Sequence, residues 1–166
     1  MQVEKEKMQM TDHHFPIRAF SYSSLRTDIS ATFHIHSEIE LLFVSRGEMT
    51  FHINSEVIRV KKNQVMFITE NTIHACYASS KNEETQTYLL QFDPLLIFGT
   101  NIFKDYNYLS RFIEKKDSHY YIMNAFTETN LDSFGFLMKE IVKEFKLKQT
   151  AYDITIKSYI YKKLLN

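Results

Sequence analysis

The sequence predicts one mainly β domain, a barrel or sandwich of antiparallel strands, followed by a pair of C-terminal helices. Two observations support this prediction. Between residues 33 and 92, apolar residues fall into short runs separated by turn-forming residues, and some runs alternate between apolar and polar positions. In the C-terminal part of the chain the apolar residues instead recur every three or four positions, which is the period of a helix.

The N-terminal half divides into an arm and a barrel. Residues 1 to 14 are polar and unpatterned, so they are predicted to form a mobile arm. Residues 15 to 95 are assigned to the barrel, with Pro16 near the start of its first strand, where a proline is tolerated. One stretch alternates as expected of a strand with one buried face: Met49, Thr50, Phe51, His52 and Ile53.

Residues 96 to 166 are predicted to be a connecting segment followed by two helices. The first helix has Thr129 or Asn130 as N-cap and carries an apolar stripe that includes Phe134, Leu137, Met138, Ile141 and Phe145. Either the barrel or a second subunit can cover this stripe. The second helix starts near Thr150 and remains apolar up to Leu165 without a capping signal, which suggests that the chain comes from a longer protein.

Composition limits the possible functions. The 166 residues are 44% hydrophobic, enough for one sizeable core. Twenty basic residues balance twenty acidic ones and no basic run occurs, which argues against DNA binding by this chain itself. The single cysteine, Cys76, excludes an internal disulfide, and no apolar signal or membrane-length segment occurs. We therefore expect a cytoplasmic protein without membrane contact.

One cluster of polar residues suggests chemistry. His34, His36 and Glu40 share sequence parity, so on one continuous strand they would face the same side, and a barrel can bring His74 to them. Imidazoles and a carboxylate that converge in a dry cavity can hold a divalent metal such as Zn, Fe, Mn or Ni, or can hydrogen-bond a polar ligand. Spacing alone does not choose between these roles.

The same cluster resembles the cupin superfamily. Its first motif, His-x-His, three or four residues, Glu, six residues, Gly, is matched by His34, His36, Glu40 and Gly47. Of the second motif only the histidine, His74, is present, because the glycine, proline and asparagine places hold other residues: Asn63, Thr69, Asn71 and Ala78. The loops around the site are therefore expected to differ from those of typical cupins.

The surrounding sequence is similar to the N-terminal domains of AraC-family transcription regulators, notably the His-x-His-x-x-x-Glu-Leu stretch and residues 67 to 74 and 90 to 94. This resemblance implies a cupin-type (double-stranded β-helix) barrel followed by an antiparallel helical pair. It also implies an effector pocket inside the barrel, homodimerisation through the helices, and DNA binding by helix-turn-helix units that are absent from this chain.

Candidate residues follow from both lines of reasoning. Ligand binding is assigned to His34, His36, Glu40, His74 and Tyr88, and any metal to the first four. Dimerisation is assigned to the first helical stripe: Phe134, Leu137, Met138, Ile141 and Phe145. Two alternatives stay open: the four polar residues are structural groups that hydrogen-bond one another, and Tyr88 is a core residue.

We predict a binding module and not an enzyme: a small polar effector, such as a sugar, binds in the barrel and alters the packing of the arm or helices. The incomplete second motif favours this hypothesis over its alternative, a metal-dependent cupin enzyme of the isomerase or dioxygenase type. A third hypothesis is a purely structural dimerisation domain whose barrel binds nothing.

Overall fold

A computed structural model describes residues 3–6, 15–24, 29–79, 84–93, 119–125 and 133–164. Within them, ten strands precede two helices, which confirms the predicted mainly β fold with C-terminal helices. The strands are β1 Glu4–Lys5, β2 Ile17–Ser24, β3 Ile29–Ile35, β4 Ile39–Arg46, β5 Glu48–Ile53, β6 Glu56–Lys61, β7 Gln64–Ile68, β8 His74–Ala78, β9 Thr85–Phe92 and β10 Tyr120–Asn124. The helices are α1 Phe134–Leu147 and α2 Tyr152–Leu164.

The strands form two five-stranded sheets that enclose an inner core. The first sheet has the order β1-β3-β8-β5-β6 and the second β10-β7-β4-β9-β2. Buried side chains from both sheets meet in this core: Leu42, Val44, Met49, Phe51, Ile53, Val60, Met66, Ile68, Cys76 and Ala78. The predicted cupin-type barrel is therefore a pair of sheets packed face to face.

Strand β4 is buried on both of its faces. Leu42 and Val44 point into the inner core, whereas Leu41 and Phe43 belong to a second core between the outer face of the second sheet and the helices. A strand covered on both sides needs apolar residues at consecutive positions. This explains why β4 is apolar at four consecutive positions, Leu41 to Val44.

The two helices cover the outer face of the second sheet. Helix α1 is capped by Ser133, whose Oγ accepts a hydrogen bond from the backbone N–H of Phe136 at 3.1 Å. The sequence predicted Thr129 or Asn130 as the cap; both lie outside the described residues, and the helix begins after them. No helix in the described ranges is long and apolar enough to cross a bilayer.

The stripe assigned to dimerisation is covered by the chain itself. Leu137, Met138 and Ile141 are at most 4% exposed, and Phe134 and Phe145 pack on the same core while remaining partly exposed. The outer face of the second sheet is itself apolar and needs a cover, which the buried part of the stripe provides. A dimer contact of the stripe stays a prediction, and the partly exposed Phe134 and Phe145 are the residues left for it.

A tenth strand lies beyond the predicted end of the barrel at residue 95. β10 pairs antiparallel with β7, from Tyr120 opposite Ile68 to Asn124 opposite Gln64, and so forms an edge of the second sheet. Most of the predicted connecting segment, residues 96 to 118, lies outside the described residues.

Part of the predicted mobile arm is paired with the barrel. Glu4 and Lys5 lie parallel to β3, opposite His34 and Ile35, and the backbone N–H of Glu6 donates to the carbonyl of Ile35 at 3.0 Å. Residues 7 to 14 of the arm lie outside the described residues. The pairing was missed because two polar residues joined by backbone hydrogen bonds leave no hydrophobic pattern in the sequence.

Candidate functional site

Four predicted residues converge between the two sheets. One ligand atom from each of His34, His36, Glu40 and His74 lies within 4.8 Å of the others, and all four residues are buried. The parity argument for this convergence was wrong, because β3 ends at Ile35 and β4 begins at Ile39 in the other sheet. The side chains meet because the chain crosses from one sheet to the other and the two inner faces oppose each other.

Each histidine of the cluster is oriented by a backbone carbonyl. The Nδ1 atoms of His34, His36 and His74 lie 2.7, 3.0 and 2.9 Å from the carbonyl oxygens of Thr32, Glu38 and Thr72, respectively. An N–H that donates to a carbonyl must reside on Nδ1, which leaves Nε2 with a lone pair. The three Nε2 atoms are therefore available to a shared positive centre.

Glu40 lies at the centre of the cluster. Its Oε2 is 3.2 Å from Nε2 of His36 and 3.7 Å from Nε2 of His74, and it accepts a hydrogen bond from Nε2 of Gln91 at 2.9 Å. Nε2 of His74 is buried without a hydrogen-bond partner in the described part of the chain. A buried polar atom of this kind costs about 1 to 3 kcal/mol, so a ligand that satisfies it is favoured.

The charges in the cluster depend on one another. Burial by itself would raise the pKa of Glu40, but the hydrogen bond with His36 and the nearby imidazole of His74 outweigh burial and hold this pKa well below its usual range. Burial works against a charge on His36 too, yet Glu40 raises the pKa of His36 above its usual value. Burial, and then the charge of His74, lower the pKa of His34.

These residues fit a divalent metal. Three imidazole nitrogens and one carboxylate oxygen are a ligand set that zinc, iron, manganese and nickel accept, and hydrogen bonds from the remaining ring nitrogens to carbonyls are the usual support for such ligands. Nε2 of His74, which has no hydrogen-bond partner within the described residues, offers this ligand set an unused lone pair. The cluster can therefore hold either a metal or a proton between Glu40 and His36.

A cavity of about 140 Å³ opens beside the cluster between the sheets. Its lining combines polar groups with apolar walls: Glu6, Arg18, Phe20, Tyr22, Ala31, His34, Glu40, Leu42, Met49, Cys76, Thr87, Leu89 and Gln91. Burial, followed by the charge of Glu40, raises the pKa of the Cys76 thiol, so this cysteine behaves as an inert wall residue.

Tyr88, predicted to bind ligand, does not reach the cavity. It packs against the outer core, with its ring centroid 6.2 Å from that of Phe43 and the Lys139 ammonium 6.0 Å from its ring. The reason is strand alternation: Thr87, Leu89 and Gln91 of β9 face the cavity, so Tyr88 between them faces the helices.

Among the cavity residues that the sequence analysis missed, three form a connected polar chain: Glu6, Arg18 and Gln91. Nη1 of Arg18 donates to Glu6 Oε1 at 2.7 Å and to Gln91 Oε1 at 3.3 Å, and Gln91 in turn reaches Glu40. Gln91 had a signal, since it is a polar residue inside an apolar strand. Arg18 and Glu6 had none, because an isolated charge in a polar segment is normally read as solvated.

Comparisons with known proteins agree with this architecture. A family model described as "AraC-like ligand binding domain" matches residues 20–118. Structures of ToxT from Vibrio cholerae are similar in fold. One, bound to (E)-4-(8-methylnaphthalen-1-yl)but-3-enoic acid, has a TM-score of 0.60 at 9% identity over 87% of this chain and 54% of ToxT.

A second ToxT structure, bound to an unsaturated fatty acid, has a TM-score of 0.56 at 12% identity and covers 92% of this chain and 56% of its own. The chain thus spans about half the length of these solved relatives. A search of curated protein sequences finds no match.

Proposed function

Because the chain belongs to the family of AraC-like ligand-binding domains, we propose that it is the effector-sensing part of a transcription regulator. The observation that carries this proposal is the cavity between the sheets, whose lining combines His34 and Glu40 of the polar cluster with mostly apolar residues. A concave site with mostly apolar walls and a few oriented polar groups is the usual form of a small-molecule site.

The cavity favours an effector with a polar end and an apolar body. The resemblance suggested a sugar, but a sugar carries hydroxyls all round, whereas Phe20, Leu42, Met49 and Leu89 offer no hydrogen bonds. The bound molecules named for ToxT each combine an acid group with an apolar body. An effector of that general character suits this cavity better than a sugar.

Strand β4 supplies a route from the cavity to the helices. Glu40 faces the cluster, and Phe43, three residues further, faces α1, so that ligand and helix contact opposite faces of one strand about 10 Å apart. An effector that binds one packing of β4 and α1 better than another shifts their populations by its differential affinity, typically about 1 to 3 kcal/mol.

Dimerisation and DNA binding complete the proposal. We assign the homodimer contact to α2, where Ile154 is 66% and Tyr161 37% exposed and both lie on one face at a spacing of seven residues. DNA binding is assigned to a helix-turn-helix part outside this chain, and the regulator would then act in the cytoplasm. In this proposal the ligand cavity and the dimer contact are separate sites, and the helical pair connects both of them with the DNA-binding part.

Blocking the cavity tests the sensing function. Ala31 lines the cavity from β3, so Ala31→Phe should fill it and abolish thermal stabilisation by any effector found in a screen of small acids, alcohols and amides. Val57→Phe is the matched control, because Val57 is 63% exposed on β6 of the same sheet. Equal ligand-induced shifts in both variants would place binding outside the cavity and refute the proposal.

One observation favours a second candidate, a metal-dependent cupin enzyme. In all three histidines a backbone carbonyl binds Nδ1, which leaves Nε2 for a metal. A metal held by His34, His36, Glu40 and His74 would supply Lewis-acid chemistry to a substrate in the cavity.

Elemental analysis of untagged protein tests this second candidate. Stoichiometric metal that is lost in a His34→Ala, His74→Ala variant and kept in a His52→Ala variant would favour it. Metal-free wild-type protein would leave the organic effector in direct contact with the imidazoles.

A further inference from the structure

One carboxylate of this chain already occupies the mouth of the cavity. Oε1 of Glu6 lies 2.7 Å from Nη1 of Arg18, and Oε2 of the same side chain lies 3.5 Å from Nε2 of His34. The carboxylate thus spans a guanidinium at one end of the cavity and an imidazole of the buried cluster at the other. An oxygen pair in this position is what an acidic small molecule would present.

Arg18 is held ready for a carboxylate. Its neighbour across the strands is Gln91, whose Oε1 accepts from Nη1 of Arg18, and its guanidinium carbon lies 4.9 Å from the ring centroid of Phe20. Among the described residues, the hydrogen bonds of Arg18 all use Nη1. Arg18 lines the cavity, and a planar guanidinium whose other N–H groups make no hydrogen bond within the described residues suits two-point binding of a carboxylate.

Glu6 belongs to a weakly attached segment. Strand β1 has two residues, is an edge strand, and its attachment to β3 includes the Glu6 backbone bond to Ile35 at 3.0 Å. The Glu6 side chain is 32% and that of Arg18 37% exposed, so solvent screens their ion pair and the pair contributes little to stability. The segment can leave at low cost.

The geometry points to Arg18 as the anchor of a small organic carboxylate, and to Glu6 as a tethered competitor for the same place. This inference rests on the proposed sensing function and specifies its ligand. A second carboxylate beside Arg18 would add an uncompensated negative charge near Glu6 and Glu40, so ligand and Glu6 exclude each other. Binding therefore frees β1 from β3, which is how the site reports occupancy.

The cavity volume limits the body of this acid. About 140 Å³ is close to the 150 Å³ of an apolar protein cavity that binds benzene. Part of the cavity lining is apolar, including Phe20, Leu42, Met49 and Leu89. The ligand class is therefore a monocarboxylate with a body of roughly one aromatic ring or a short aliphatic chain, and longer acids must extend through the mouth.

Titration calorimetry of the 166-residue chain with paired probes tests the inference. The probes are butanoate, hexanoate and benzoate, each beside its uncharged amide. At least one acid should bind, and its amide should bind at least roughly tenfold more weakly, as expected for loss of one charge-assisted contact. Arg18→Gln should remove the difference. If the amides bind as well as the acids, or if only neutral molecules bind, the inference about a carboxylate ligand is overturned. The proposed sensing function is unaffected by either result.

The competitor role makes an opposite prediction for Glu6. Glu6→Gln should raise the affinity for the acids roughly three- to tenfold, because the displaced ion pair no longer competes, and should leave the amides unchanged. Glu84→Gln is the matched control: Glu84 pairs with Arg46 at 3.0 Å with similar exposure, outside the cavity. Unchanged or weaker acid binding by Glu6→Gln would overturn the competitor role.

Hydrogen exchange provides a readout that does not depend on affinity. A bound acid should accelerate exchange at the backbone N–H of Glu6, which is protected by the carbonyl of Ile35, while amides in β4 stay protected. An acid that binds without changing this exchange would show that β1 is not displaced.

Discussion

Replacing Gly135 by alanine tests how closely α1 lies on β4. Sequence reasoning predicts that Gly135→Ala stabilises the protein, since alanine is favoured over glycine in a helix by about 1 kcal/mol. In the structure, a Cβ at this position would lie 2.5 Å from Cζ of Phe43 and 3.0 Å from its Cε1 and Cε2. Ordinary contacts of a Cβ lie at 3.4–4 Å, so helix and strand would have to separate.

The magnitude follows from two opposing terms. Phe43 is 1% exposed within the outer core, so a shift of its ring would displace packed neighbours, and we expect the overpacking cost toward the upper part of the usual range of about 1 to 3 kcal/mol. Subtracting the gain of about 1 kcal/mol in helix propensity leaves a net loss of about 1 to 2 kcal/mol. For a chain of this size, that loss lowers the melting temperature by roughly 3 to 6 °C.

Urea denaturation followed by circular dichroism measures this loss. The matched control is Phe43→Leu, which by itself leaves a cavity and destabilises, but which removes the ring atoms that the new methyl group would meet. The double variant should therefore be more stable than the sum of the single changes predicts, by about 1 kcal/mol or more. A Gly135→Ala protein more stable than wild type would refute the close contact of α1 with β4, and with it the proposed route from the cavity.

Three further changes test other parts of the structure. In metal-free protein, the raised pKa of His36 contributes stability that is present below its ordinary value of 6.5 and is lost as pH rises through the folded-state pKa. Urea titrations of Glu40→Gln in a chelator should thus show a larger loss at pH 6, about 3 kcal/mol, than at pH 9. Ile154→Asp should convert a dimer to a monomer in sedimentation experiments without lowering the melting temperature, because Ile154 is 66% exposed; a monomeric wild-type chain would contradict the assignment. Gly47→Ala should cost about 1 to 3 kcal/mol in urea denaturation, because Gly47 has a φ of +74° and a Cβ there would lie 2.6 Å from Oγ1 of Thr85.

Much of the site could be predicted because it is encoded locally. His34, His36, Glu40 and His74 stand out in sequence as polar groups among apolar strands, and the structure brings them together. The packing of Tyr88 and of the α1 stripe could not be predicted in the same way. Both pack in the outer core between the second sheet and the helices, and a sequence does not reveal which of two faces a neighbouring element covers.

The residues around the cluster were harder to predict. Glu6 and Gln91 lie 85 positions apart, yet both contact Arg18, since the residue after β1 and the strands β2 and β9 meet at one cavity. No periodicity connects these three residues, because Arg18 and Gln91 lie on different strands and Glu6 follows a third. Their roles depend on strand order and register, which arise from the whole chain.

By itself, the sequence determined the class of fold, the approximate places of strands and helices, and the identity of the four clustered side chains. These properties follow from local periodicity and from the cost of burying polar groups, which both leave marks along the chain. Tertiary structure decided that Glu6 and Arg18 pair in the lining of the cavity, that Tyr88 faces the helices, and that α1 packs on the second sheet. The physical reason is that charge pairing and burial depend on distances between strands remote in sequence, and these distances exist only once the two sheets have packed together.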